Sequence, residues 1–151
     1  MPIKHGKISQ IIRAPLSEVF DFMINLENAS KWSKAYKGIK RIEQDENHYQ
    51  AEMEQRFLGK KFKATIIGQV TPYKKTVEEI RIDDGSIFED IIEFTEIPEG
   101  TRIDWSGRII KLGKWTKFFG PLGKFFFDKS VKKEFKTLAK YIESEEYKRD
   151  R

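Results

Sequence analysis

Four polar side chains share the faces of strand-like segments with apolar ones in this 151-residue chain: Gln10, Gln55, Glu78 and Asp90. An unpaired polar group enclosed on such a face costs roughly 2–7 kcal/mol by transfer from water. Each must therefore find a partner, reach water at a strand end, or orient a ligand. A carboxyl so enclosed holds its proton more tightly, which suits it to acid–base work. Asp90 and Glu78 are the candidate catalytic groups if the chain catalyses anything, with Tyr49 as a candidate donor. A pairing register shifted by one residue would turn all of them outward.

Other chemistries lack their residues. There is no Cys, hence no thiol nucleophile, thiolate metal site or disulfide. The two histidines, His5 and His48, stand near the start and at a turn, and no His or carboxylate cluster has metal-ligand spacing. No Gly-x-Ser-x-Gly elbow is present. Gly120-Pro121-Leu122-Gly123 is not a phosphate-cradling loop. No metal and no cofactor are expected.

Charge separates along the chain. Residues 1–110 carry 17 Lys/Arg against 18 Asp/Glu, and residues 111–151 carry 12 against 6, so the basic character belongs to the last quarter. Lys4, His5, Lys7, Gln10 and Arg13 interrupt any apolar run at the start. No window approaches the roughly 20 apolar residues of a membrane span. A soluble, cytoplasmic protein is expected, and nucleic acid is not an expected partner, since Glu is dense on the strands.

The elements that must position these residues follow from periodicity. Residues 3–13 alternate with Gly6, Ile8, Gln10 and Ile12 on one face, which predicts a half-buried strand. Pro15 sits as a first helical residue ahead of Leu16, Val19, Phe20 and Met23. Asn25 ends that helix, and Leu26 to Trp32 reads as a second short one. Strands follow over Tyr36–Gln44, 48–57, 61–70, 74–82, Ser86–Glu96 and Arg102–Leu112, with turns at Asp45-Glu46-Asn47, Gly59, Pro72, Asp84-Gly85 and Pro98-Glu99-Gly100. A long helix spans about Gly113 to Glu146, with Phe127, Val131, Phe135, Leu138 and Ile142 on one face. The prediction is one α+β domain over 1–151, an antiparallel sheet of about seven strands wrapped on a C-terminal helix.

Ile12-Arg13-Ala14-Pro15, then Val19-Phe20, Asn25, Glu27 and Trp32, resembles the first strand-to-helix corner of the START-like (SRPBCC) superfamily. Gly100-Thr101-Arg102 at the last strand and Leu138, Tyr141 and Ile142 in the last helix extend the resemblance over nearly the whole chain. Where many relatives have a Pro soon after the Trp, this chain has Ser33-Lys34-Ala35. The resemblance implies the helix-grip fold of START domains, polyketide cyclases and coenzyme Q-binding proteins. It also implies a cavity for a lipid, quinone or polyketide between sheet and helix. The alternation supplies a lining: Tyr49, Met53, Gln55, Phe57, Phe62, Ile66, Ile80, Phe88, Ile92 and Trp105, with Trp32 at the corner. The leading expectation is a binder or carrier of a hydrophobic small molecule. The alternatives are a cyclase- or aromatase-type enzyme using the cavity carboxylates, and a protein-interaction module.

Lys114, Lys117 and Lys124 flank Phe118, Phe119, Phe125 and Phe126 ahead of the main helical stripe. Lysine beside aromatic rings suits a membrane surface, and Gly113, Gly120, Pro121 and Gly123 weaken helix propensity here. These four Phe residues are predicted to gate the cavity and to make any transient membrane contact. Replacing Phe125 and Phe126 by Ser is expected to reduce ligand uptake or vesicle binding with the fold retained. An unfolded double variant, seen by circular dichroism, would instead place both rings in the core.

Overall fold

The structure, a computed structural model, describes the backbone of residues 3–32, 38–57 and 60–144, and their side chains except those of 3–5, 30, 41, 55–57, 60 and 115–128. Seven strands form one antiparallel sheet: β1 (Ile3–Ile12), β2 (Ile39–Gln44), β3 (His48–Phe57), β4 (Lys60–Thr71), β5 (Lys75–Ile82), β6 (Ile87–Ile97) and β7 (Gly100–Lys111). Their spatial order is β1-β7-β6-β5-β4-β3-β2, so β1 and β2 are the two edges. Between them in sequence lie α1 (Leu16–Ile24) and a 3₁₀ segment, Leu26–Lys31, which carry the chain from one edge to the other. The last element, α2 (Lys114–Ile142), runs as helix through Gly120 and Pro121. The fold is α+β with the helix-grip arrangement. Among the described residues no helix is long and apolar enough to cross a membrane.

Local chemistry explains the boundaries. Pro15 stands outside α1, not as its first residue: its ψ of 147° is extended, so helical backbone begins at Leu16. The Asn25 side chain accepts from the Glu27 amide at 3.1 Å and starts the 3₁₀ segment. The second strand begins at Ile39, and the predicted start at Tyr36 lies outside the described residues. Asp84 and Ser86 in the β5–β6 turn anchor the start of α2. Ser86 Oγ accepts the Gly113 amide at 2.9 Å, and the Asp84 carbonyl accepts that of Lys114 at 3.3 Å.

The core lies on the sheet's inner face. Ile12, Ala51, Met53, Ile66, Phe94, Ile103 and Trp105 pack there with Val19, Phe20 and Phe22 of α1 and with Phe135, Leu138, Ala139 and Ile142 of α2. The helical stripe is thus buried from Phe135 onward, with Val131 partly so, while the side chain of Phe127 lies outside the described set. Phe22 stacks on Tyr141 with centroids 5.4 Å apart, joining α1 to α2. Two residues further on, at the helix C-cap, Glu143 accepts the Arg13 amide at 2.7 Å.

The β6–β7 turn closes against the β1–α1 corner. The buried Thr101 hydroxyl donates to the Ala14 carbonyl at 2.8 Å. Gly100 has φ of +140°, and a Cβ there would sit 2.5 Å from the Ile12 carbonyl oxygen and 2.8 Å from the Ala14 nitrogen. Both the dihedral and the contact exclude a side chain. Gly100→Ala is therefore expected to lower stability by at least about 2 kcal/mol, read as a lower urea midpoint with unchanged slope. An unaltered midpoint would show that the corner relaxes.

Candidate functional site

One transverse row of the inner face is polar. Strand register aligns Tyr49 of β3, Gly68 of β4, Glu78 of β5, Asp90 of β6, Gly107 of β7 and Gly6 of β1. Glu78 and Asp90 are direct cross-strand partners, a separation at which like charges repel. Rows on either side are largely apolar: Ala51, Ile66, Ile80 and Phe88 on one, Val70, Thr76, Ile92 and Trp105 on the other.

Gly68 makes the row work. A Cβ on it would lie 2.1 Å from Cζ of the Tyr49 ring, so the ring spans the bare backbone of β4. That brings the Tyr49 hydroxyl to Glu78, to which it donates a hydrogen bond. Glu78 is only 8% exposed and Tyr49 4%. On the other side of Asp90, Gly107 and Gly6 place no side chain on the row.

Asp90 is strongly perturbed. The residue is half-buried, but its Oδ1 is closed off from solvent and has no hydrogen-bond partner. Burial raises its pKa to about 8, with the negative charge of Glu78 next and smaller pushes from Glu134 and Glu89, against a hydrogen bond from the Trp105 indole. Asp90 is therefore protonated at neutral pH, poised opposite a second carboxyl.

The cavity beside this row has a volume of about 30 Å³, walled by Met23, Ile24, Leu26, Ala29 and Trp32 on the helical side and by Tyr49, Thr76, Glu78, Ile92 and Phe94 on the sheet. Such a space holds a water or a small polar head. Of the residues predicted from sequence, Trp32, Tyr49, Ile92 and Glu78 line it. Met53, Phe62 and Ile66 are buried in the sheet's packing, Ile80 and Phe88 are partly buried, and Trp105 sits beside Asp90. Gln10 is half-buried and donates to the Ile11 carbonyl at 3.0 Å. The side chains of Gln55, Phe57, Phe118, Phe119, Phe125 and Phe126 lie outside the described residues. Among the described residues no group of three His, Asp or Glu side chains is placed to hold a metal ion.

The family described as polyketide cyclase / dehydrase and lipid transport matches residues 5–143. The chain belongs to that family. No curated protein matches it. Among solved structures, the aromatase/cyclase Zhui from a Streptomyces species is similar over 100% of this chain and 96% of its own, with TM-score 0.75 and 7% identity. A protein from Thermus thermophilus is similar over 94% and 97%, with TM-score 0.72 and 15% identity. The di-domain ARO/CYC protein of the steffimycin biosynthetic pathway is similar over 92% of this chain and 50% of its own, with TM-score 0.72 and 9% identity. Identities this low establish the fold and leave the chemistry to the residues. The family's fold is one that accommodates hydrophobic ligands.

Glu134 of α2 is the site residue that the periodicity reading omitted. It falls three residues after Val131 and four before Leu138, on the buried face, and is half-buried. The helical spacing alone could have found it. Asp90 also sets a pH dependence for this family member. Its unfolded form ionises near 3.8, whereas the folded form keeps its proton to about 8. The folded state binds the extra proton in between, so stability falls as pH rises through that window and levels above it. Asp90→Asn is expected to flatten this slope and to stabilise the protein at and above neutral pH, at about 1.4 kcal/mol for each pH unit of displacement. Urea titrations across the window check it; an unchanged slope would remove Asp90 as the source.

Proposed function

We propose that the protein binds a small hydrophobic molecule between the sheet and α2, with the molecule's polar group held at the Glu78–Asp90 row. The observation that supports this most directly is a pair of carboxyls built into the middle of an apolar face. Side-chain packing alone gives no reason to place them there, because an apolar pair would fill the same space without the desolvation cost. Trp32, Tyr49, Ile92 and Phe94 supply apolar walls beside them. A drug-sized guest needs roughly 300 Å³ or more, well beyond the cavity of about 30 Å³. A guest of that size at this cavity requires the helical side, Met23 to Trp32, to part from the sheet. The apolar surface uncovered in the protein is covered again by the guest.

A second reading, acid–base catalysis of the cyclase or dehydrase kind, draws on one specific feature. Asp90 holds a proton at neutral pH directly across from Glu78. A protonated carboxyl facing a second carboxyl can act as acid and base on one substrate.

Solvent extraction of the purified protein followed by mass spectrometry, together with a fluorescence screen of lipids, quinones and aromatic polyketides, tests the binding function. Trp32 and Trp105 stand beside the site and should report occupancy. Saturable quenching with dissociation constants of about 1–100 μM is expected. No extractable molecule and no quenching across the screen would sink it. Turnover that Asp90→Asn abolishes without weakening binding would establish the catalytic reading.

A further inference from the structure

Two donors at the polar row are committed to its carboxyls. The Tyr49 hydroxyl points to Glu78 and the Trp105 indole to Asp90, both as donors to carboxyl oxygens. Asp90 Oδ1 remains without a hydrogen-bond partner and without solvent. The charges acting on Asp90 are those of Glu78 on β5, Glu134 on α2 and Glu89 on its own strand, all negative, while β7 presents Trp105 and Gly107. What would match such a site is a donor that carries positive charge.

The size of that cation follows from the same geometry. A small metal ion needs several oxygens within about 2.6 Å, and these carboxylates are not placed to give that. An organic ammonium needs only one close contact. Its N–H can bond Asp90 while Glu78 and Glu134 act over longer distances through a weakly polar interior. Tyr49 and Trp32, which wall the adjacent cavity, offer apolar surface to a hydrocarbon tail. Gly107 and Gly6 leave the row beside Asp90 without side chains.

We propose that the ligand of this site is a hydrophobic primary amine, bound as its ammonium with Asp90 as counter-ion and Glu78 and Glu134 as supporting charges. This rests on the binding function above and specifies its polar group. Binding exchanges one cation for another. The Asp90 carboxyl releases its proton to solvent, its carboxylate accepts an N–H from the ammonium, and no covalent bond in the ligand changes. Near neutral pH Asp90 is close to its titration point, so giving up the proton there costs little.

Calorimetry of the intact protein with decylamine, 1-decanol and decanoate tests this, at neutral pH, below micelle concentrations, in two buffers of different ionisation enthalpy. Decylamine is expected to bind at least about tenfold more tightly than decanol, with decanoate weakest, and to release close to one proton per amine bound. Asp90→Asn should abolish the proton release and erase most of the preference for amine over alcohol. Glu134→Gln, a change on the half-buried helix face that keeps side-chain shape, should weaken decylamine severalfold and leave decanol unchanged. It serves as the test if Asp90→Asn misfolds. Decanol or decanoate binding as tightly as decylamine, or amine binding without proton release, overturns the ammonium assignment and leaves the binding function standing. Failure of all three to bind overturns the amine proposal, while the binding function is decided by the wider screen.

Discussion

A seven-stranded antiparallel sheet with one apolar face has to be covered on that face, and here the cover is narrow. A helix of 29 residues, about 1.5 Å per residue, can lie along only part of such a surface. The remainder falls to α1, the 3₁₀ segment and the large inward side chains themselves. Register shifts at Lys4/Gly6, Ile39/Arg41 and Ile87/Phe88 mark where strands bend to bring the sheet round. Everything else in the molecule answers to this shortage of cover. Phe20, Phe22 and Trp32 add cover from the helical side, and Phe135, Leu138 and Ile142 supply it from α2.

Within that arrangement the polar row is a deliberate breach. It requires a large ring, Tyr49, to lie over a residue with no side chain, Gly68, so that a hydroxyl can reach Glu78 two strands away. It also sets two carboxyls opposite each other, Glu78 buried and Asp90 with its Oδ1 closed off from solvent. Such an arrangement lowers stability, as ligand and catalytic sites commonly do, and the loss is offset by the apolar rows on either side.

The similarity to structures of 7% and 15% identity shows how little sequence this fold demands. Alternation of apolar residues and a stripe on the last helix are enough to build it. The carboxyl row is not part of that minimum, since an apolar pair at the same positions would satisfy the same packing. The chemistry of the site therefore belongs to Tyr49, Glu78, Asp90 and Glu134 of this chain, not to the fold.

Much of the architecture was legible in the amino-acid sequence. Period-2 alternation is a local property of a strand, so the number and order of strands, the turns at Asp84-Gly85 and Pro98-Glu99-Gly100, and the inward direction of Glu78 and Asp90 could all be read residue by residue. The stripe from Val131 to Ile142 was legible for the same reason, at a period of 3.6. Tertiary structure decided which inward residues meet. That Glu78 stands opposite Asp90, that Tyr49 lies over Gly68, and that Glu134 brings its charge to Asp90 depend on strand register and helix rotation. Both are set by packing between segments distant in sequence. The volume left beside the row depends on the same packing, because a gap of about 30 Å³ is the residue of many side chains fitted together and no periodicity encodes it.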